Sequence, residues 1–176
     1  MTTTYKFRLY PKKAEEYKLD LSLEVCRQTY NNLLAGLDER FTKNELQNYI
    51  LDLKVVYPEM NDVHSKVLQM ENQRLFGNVS SLSHLKKKGH KVGRLRYKGK
   101  NWFKTFTYNQ SGFKLIKTDK RYDFLYLSKI GYIPIKLHRN VEGNIRNITI
   151  KKSLGKWYTF IVTDAIIKRE CGNGEI

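Results

Sequence analysis

The hydrophobic period of this chain changes once, and that change limits what it can fold into. Leu19, Leu23, Cys26, Tyr30, Leu33, Leu37 and Phe41 recur at steps of three or four. Such spacing lines one face of a helix from Lys13 to Arg40. Thr42-Lys43-Asn44-Glu45 has the form of a capping box, Thr42 as N-cap and Glu45 at N3, so a second helix starts there. Leu46, Ile50 and Leu53 give it an apolar stripe, and Tyr57-Pro58 stops it. A third helix is expected from Asn61 to Phe76, ending before Gly77 and the serine-rich stretch Ser80–Ser83.

Beyond residue 92 the pattern is one of short β runs separated by turn residues. Strands are expected at Lys104–Tyr108, Phe113–Ile116, Phe124–Leu127, Tyr132–Leu137, Ile145–Ile150 and Trp157–Thr163. Turns fit at Gln110-Ser111-Gly112, Asp119–Asp123, Glu142-Gly143-Asn144 and Ser153–Lys156. Pro134 would make its strand an edge or a bulged one. An earlier strand opens the chain, with Tyr5, Phe7 and Leu9 facing one way, Lys6 and Arg8 the other, and Pro11 ending it. It has no β neighbour among the helices, so it should join the later strands. The expected fold class is α+β: a small antiparallel β-barrel with a helical domain inserted after its first strand. The boundaries are 1–12 for the first strand, 13–91 for the helices and a basic connection, 92–165 for the rest of the barrel, and 166–176 for a tail.

Charge divides the chain in the same way. Residues 1–85 carry eleven Lys/Arg and eleven Asp/Glu, whereas residues 86–176 carry twenty-two and six, so the second part holds the whole net charge of +16. A one-signed field of that extent suits a polyanion, through counterion release and steering. Nucleic acid fits best; an anionic membrane surface and a merely solvated basic surface are the alternatives. No apolar run approaches the length of a membrane span. The opening MTTTYKFRLY has neither the apolar core nor the cleavage site of a signal peptide. Cys26 and Cys171 stand far apart and outside any C-x-x-C, which fits a reducing cytoplasm and argues against a disulfide framework or a zinc site.

Two stretches are candidates for contact with nucleic acid. On the third helix, at about 100° per residue, Val63, Val67, Leu68, Met70 and Leu75 share an arc of roughly 160°. Ser65, Lys66, Gln69, Asn72 and Gln73 share the opposite arc. Amides both donate and accept, as bidentate reading of an adenine edge requires, and Lys or Ser can take phosphate or other base edges; an ordinary solvated helix face has the same composition. The other stretch begins KKKGHKVGRLRYKGK at residues 86–100, where eight of fifteen residues are Lys or Arg and none is acidic. Lys86, Lys87 and Lys88, with the His and Val that follow, read as a flexible basic connection. Arg94, Arg96, Lys98, Lys100 and Lys104 then interleave with Tyr97, Trp102, Phe103, Phe106 and Tyr108 as the entry to a strand. Cations supply phosphate contacts and aromatics supply faces for unstacked bases, although most of these rings should pack into the core.

Catalytic signatures are missing. Metal-dependent nucleases need clustered carboxylates, and the β half offers Asp119, Asp123, Glu142 and Asp164 before the tail, mostly at expected turns. His64, His84, His90 and His138 form no i, i+4 metal pair, and no P-loop or G-x-S-x-G occurs. No cofactor, no metal and no enzymatic activity are expected of this chain.

The blocks YKFRLYP, VHSKVLQ, GRLRYKGKNWFKTFTYNQSGFKL, LYLSKIGYIPIKLHR and IRNITIKKSLGKWYTFIV, in that order, resemble the N-terminal half of TnpB proteins, the transposon-encoded RNA-guided nucleases related to type V CRISPR effectors. The resemblance covers about residues 4–164. It implies a wedge-type, OB-like barrel carrying a helical recognition domain, and a role in holding guide RNA and reading a short motif on duplex DNA beside the target. By that resemblance Ser65, Lys66 and Gln69 contact the duplex, with Asn109 and Gln110 opposite them. TnpB chains continue into a RuvC-like nuclease domain with an embedded zinc ribbon, and none of its acidic ligands is present here. A fragment of a longer nuclease, or a nuclease-free derivative acting as a DNA-binding transcriptional regulator, are both compatible. The implied partners are guide RNA and duplex DNA, and beyond these the rest of a nuclease chain or a second copy.

Overall fold

The computed structural model describes residues 2–38 and 42–164. The expected end of the first helix at Arg40 and Phe41, and the tail with Cys171, lie outside the described residues.

Three α-helices stand between the first strand and the other six. Strand β1 (Thr2–Leu9) is followed by α1 (Lys13–Asp38), α2 (Lys43–Val56), a 3-10 turn (Pro58–Asp62) and α3 (Ser65–Lys87). The strands β2 (Thr105–Asn109), β3 (Phe113–Ile116), β4 (Asp123–Leu127), β5 (Gly131–Lys136), β6 (Asn144–Ser153) and β7 (Lys156–Asp164) follow. The capping box starts α2 as its residues require: Thr42 Oγ1 accepts the Glu45 N–H at 3.3 Å, and Glu45 Oε2 accepts the Thr42 N–H at 2.6 Å.

The third helix departs from expectation at both ends. Pro58 begins a 3-10 turn instead, so α3 starts at Ser65 with His64 as its N-cap. It then passes through Gly77 and the serines to Lys87. Tertiary contact outweighs those local breakers. Asn78 Nδ2 donates to the Tyr30 hydroxyl on α1 at 3.2 Å, and Val79 and Leu82 line one cleft with Leu34, Leu37 and Leu95. Lys86 and Lys87 therefore form the last turn of a helix and Lys88 its C-cap, rather than a flexible connection. Cations at that end also suit the helix dipole.

The strands form one antiparallel sheet in the order β2-β6-β7-β1-β5-β4-β3. The opening strand lies at its centre, in register with β7 from Thr2↔Asp164 to Leu9↔Trp157 and with β5 at Arg8↔Lys136 and Leu9↔Ile135. The sheet is not closed into a barrel: β2 and β3 are its two edges. Beside β2 stands α3 instead of β3, with Arg74 Nη2 donating to Thr105 O at 3.2 Å, which covers an edge that would otherwise invite pairing. Pro134 sits in an internal strand, not an edge. Its carbonyl accepts the Tyr10 N–H at 2.9 Å, so its missing N–H falls where β1 ends and the chain turns at Pro11.

One face of the sheet carries Phe7, Leu9, Phe106, Tyr108, Leu125, Leu127, Ile133, Ile135, Ile148, Ile150, Trp157 and Ile161, all buried in the core with Leu19, Leu23, Cys26, Tyr30 and Leu33 of α1. Trp157 Nε1 donates to Glu16 Oε1 at 3.2 Å, and Lys152 Nζ pairs with Asp20 at 2.6 Å. These bonds fix α1 against the sheet.

Candidate nucleic-acid interface

Three basic surfaces emerge from this framework. The first surrounds the N-terminus of α3. His64 caps it through Nδ1, which accepts the Lys66 N–H at 3.3 Å, so the cap requires a neutral ring. Burial, and then the ammonium groups of Lys129, Lys54 and Lys66, hold the imidazole below its usual range and keep it in that state. Lys54 Nζ donates to Ser65 Oγ at 2.7 Å. The corner after β2 abuts this cap: Gly112 has φ +86°, and a Cβ there would lie 2.9 Å from His64 Cε1. Gln110 also has positive φ, +64°, and its N–H donates to Arg146 O at 3.2 Å. The start of α3, with Ser65 and Lys66 next to His64 in the chain, is thereby placed beside the corner that carries Asn109 and Gln110. Gly112→Ala should cost about 2 kcal/mol from backbone strain and ring displacement, read as a melting temperature lower by roughly 5 °C.

Asn72 does not belong to this surface. It is fully buried, and its Nδ2 donates to Lys43 O at 2.9 Å, tying α3 to the start of α2. Because α3 is flanked by α1, α2 and β2, it buries a wider arc than its apolar residues alone define. Gln73 remains exposed and Gln69 is half-buried.

The second surface is the segment between α3 and β2. Residues 90–99 have no regular secondary structure, so Arg94, Arg96 and Lys98 do not lead into a strand, but neither do they form a loose tether. Arg27 Nη1 and Asn31 Nδ2 donate to Lys98 O at 2.8 and 3.0 Å, and Lys98 N–H donates to Asn31 Oδ1 at 2.8 Å. Leu95 packs against the core while Arg94, Arg96, Lys100 and Lys104 are exposed. Of the interleaved aromatics, Phe103, Phe106 and Tyr108 are buried and Tyr97 and Trp102 are exposed.

The third surface, the outer face of the sheet, lay outside the sequence candidates. Register puts Lys6, Arg8, Lys136 and Lys151 there with Tyr158, Phe160, Tyr126 and Tyr132. Lys6 Nζ lies 4.7 Å from the Tyr158 ring centre, and the Tyr126 and Tyr132 rings are 5.0 Å apart. One carboxylate among the described strand residues shares this face, Asp164 at its end, and it pairs with Arg146 at 2.6 Å. The signal was present in the opening strand, whose alternation sets Lys6 and Arg8 opposite Phe7 and Leu9.

Comparison with known proteins bears on what these surfaces hold. A helix-turn-helix domain family of IS605-type OrfB proteins matches residues 1–45. Over 170 residues the chain is 25% identical to "Putative RNA-guided DNA endonuclease InsQ" of Escherichia coli (strain K12), a TnpB-family protein, covering 92% of this chain and 40% of that one. The chain matches the N-terminal part of a TnpB-family protein. It spans less than half the length of that relative. The helix-turn-helix match takes in β1, α1 and the start of α2. The blocks VHSKVLQ and FTYNQSG, distant in sequence, meet where His64 touches Gly112. Among the described residues, no three His, Cys, Asp or Glu side chains gather as metal ligands would, and no helix is long and apolar enough to cross a membrane.

Proposed function

We propose that this chain is the nucleic-acid-holding part of a TnpB-like RNA-guided DNA endonuclease. Residues 1–12 and 92–165 act as the wedge domain and residues 13–91 as the recognition domain. The observation that carries this reading is the segment from Arg94 to Lys104, which presents its cations on a backbone pinned to α1. A disordered tail of equal charge would bind polyanions, but would not hold them in one place. Lys86, Lys87, Lys88, Arg94, Arg96, Lys98, Lys100 and Lys104 take the guide RNA backbone, and the outer face of the sheet extends that surface. Ser65, Lys66, Gln69 and Gln73, with Asn109 and Gln110 across the His64–Gly112 contact, read duplex DNA beside the target.

Replacing Arg94, Arg96, Lys98 and Lys100 together by Ala should flatten the log–log salt dependence of RNA binding by roughly three, and weaken binding at least about a hundredfold. Lys66→Ala and Gln69→Ala should each weaken duplex binding roughly tenfold and leave RNA binding unchanged. Filter binding across a salt series measures both, and an affinity indifferent to salt would refute the proposal.

The helix-turn-helix match favours a second reading, a DNA-binding regulator that reads duplex without RNA. A gel shift with nuclease-treated protein separates the two: a sequence-specific shift without RNA supports the regulator.

A further inference from the structure

Trp102 is 66% exposed and Trp157 only 2%. Indoles are enriched at interfaces, where an apolar ring meets a partner, and the backbone that carries this one is fixed in place. The backbone N–H of Trp102 donates to Gly99 O at 3.1 Å, closing a tight turn in which Asn101 takes φ +62°. The residue before that turn is Lys98, whose backbone is bracketed by Arg27 and Asn31 of α1.

Beside the indole opens a cleft of about 250 Å³, lined also by Tyr30, Asn78, Arg74, Lys98 and Lys104. That is the scale of one small planar group, not of a peptide or a duplex. Arg74 is committed to the wall, paired with Glu71 at 3.1 Å and bonded to Thr105. Lys98 and Lys104 make no ion pair among the described residues, and Lys98 Nζ stands 5.4 Å from the Trp102 ring centre. Asn78 Nδ2 donates to the Tyr30 hydroxyl, leaving the Tyr30 O–H as a donor and Asn78 Oδ1 as an acceptor for a third group. A flat aromatic face, two cations outside the ion pairs of the described residues, one of them lying over the Trp102 and Tyr30 rings, and a paired donor and acceptor match the parts of a nucleotide: base plane, phosphate and base edge.

We propose that this cleft captures one unpaired nucleotide, its base stacked on Trp102 and its phosphate held by Lys98 and Lys104. The assignment rests on the nucleic-acid reading above and adds to it a site for a base outside any duplex. Paired bases have both faces occupied by their neighbours, so a duplex should not enter.

The test is tryptophan fluorescence of the full chain titrated with short single-stranded RNA, single-stranded DNA and duplex DNA, with filter binding run in parallel. Single strands should quench the exposed indole and leave the emission of buried Trp157, whereas duplex should leave both. Trp102→Ala should weaken single-strand binding about tenfold with no change in salt slope, since no charge is removed, and Trp102→Phe should restore it to within about threefold. Quenching by RNA alone places a guide nucleotide in the cleft; quenching by DNA as well extends the site to a displaced strand. Single strands retained on the filter without quenching, quenching by duplex, or wild-type affinity in Trp102→Ala would each overturn the cleft while sparing the larger reading. Retention of no nucleic acid at all would overturn both.

Discussion

Replacing Glu71 by Gln should make the protein more stable at pH 8, and should remove a fall in stability that the parent chain shows as pH rises. Glu71, on α3, is fully buried beside Cys26 of α1. Arg74 Nη1 lies 3.1 Å from Oε2, yet neither carboxyl oxygen has a well-formed hydrogen bond. Burial, only partly offset by Arg74, raises its pKa from 4.5 to about 8. Between those values the folded chain keeps a proton that the unfolded chain has lost, so stability declines as pH climbs through the window and levels off above it. The full decline is worth roughly 5 kcal/mol. His64 acts in the opposite direction: its pKa is lowered from 6.5 in the fold, so its contribution grows with pH up to about that value. Denaturant titrations from pH 6.5 to 8 therefore isolate Glu71. Parent stability should fall across that range while Glu71→Gln stays flat; parallel curves would show that Glu71 is ionised in the fold.

Trp157→Ala should be the most damaging single substitution in the sheet, costing about 3–5 kcal/mol. The indole is buried opposite Leu9, bonds Glu16 of α1, and has Lys152 Nζ 5.1 Å from its ring centre. Its loss would open a cavity at the seam between the helices and the sheet, leaving the Glu16 carboxylate and the Lys152–Asp20 pair without the ring that shields them. A melting temperature lower by roughly 10 °C or more is expected. Trp157→Phe, which keeps most of the volume and loses the Glu16 bond, should cost less than half as much. Equal losses would place the effect in the hydrogen bond rather than in packing.

Much of the fold could be read before any coordinates, because the turns that punctuate it are chemically explicit. The hairpin between β6 and β7 turns on Leu154 and Gly155, both at positive φ, inside the expected Ser153–Lys156 turn. The capping box of α2 was equally plain. What local chemistry could not convey was which surfaces meet. Closure of the sheet depended on whether β3 or α3 would lie beside β2, a choice made by Arg74, Thr105, His64 and Gly112 across large sequence separations. Gly77 and the following serines argued for a helix end that packing against α1 overrode. Which of the candidate residues share a face was not legible. Asn72 sat at the margin of the polar arc and was drawn inward by Lys43 O, while Lys6, Arg8, Lys136 and Lys151 were scattered over three strands until register gathered them. Glu71 was a missed clue: the helical wheel sets it near the middle of the apolar arc, where an ionisable group rarely stands without consequence.

The central place of β1 bears on how the chain is built as it is synthesised. Of the described strands, the one made first joins β6 and β7 on one side to β4 and β5 on the other, yet its partners arrive more than a hundred residues later, at residues 131–136 and 156–164. The helices, rich in local contacts, can form on emerging from the ribosome, whereas β1 must wait with both edges unpaired. Its alternating Lys6 and Arg8 are suited to that interval, since charge on a waiting strand discourages association with the wrong neighbour. The same two side chains that lie on the basic face of the finished sheet would thus protect the nascent chain.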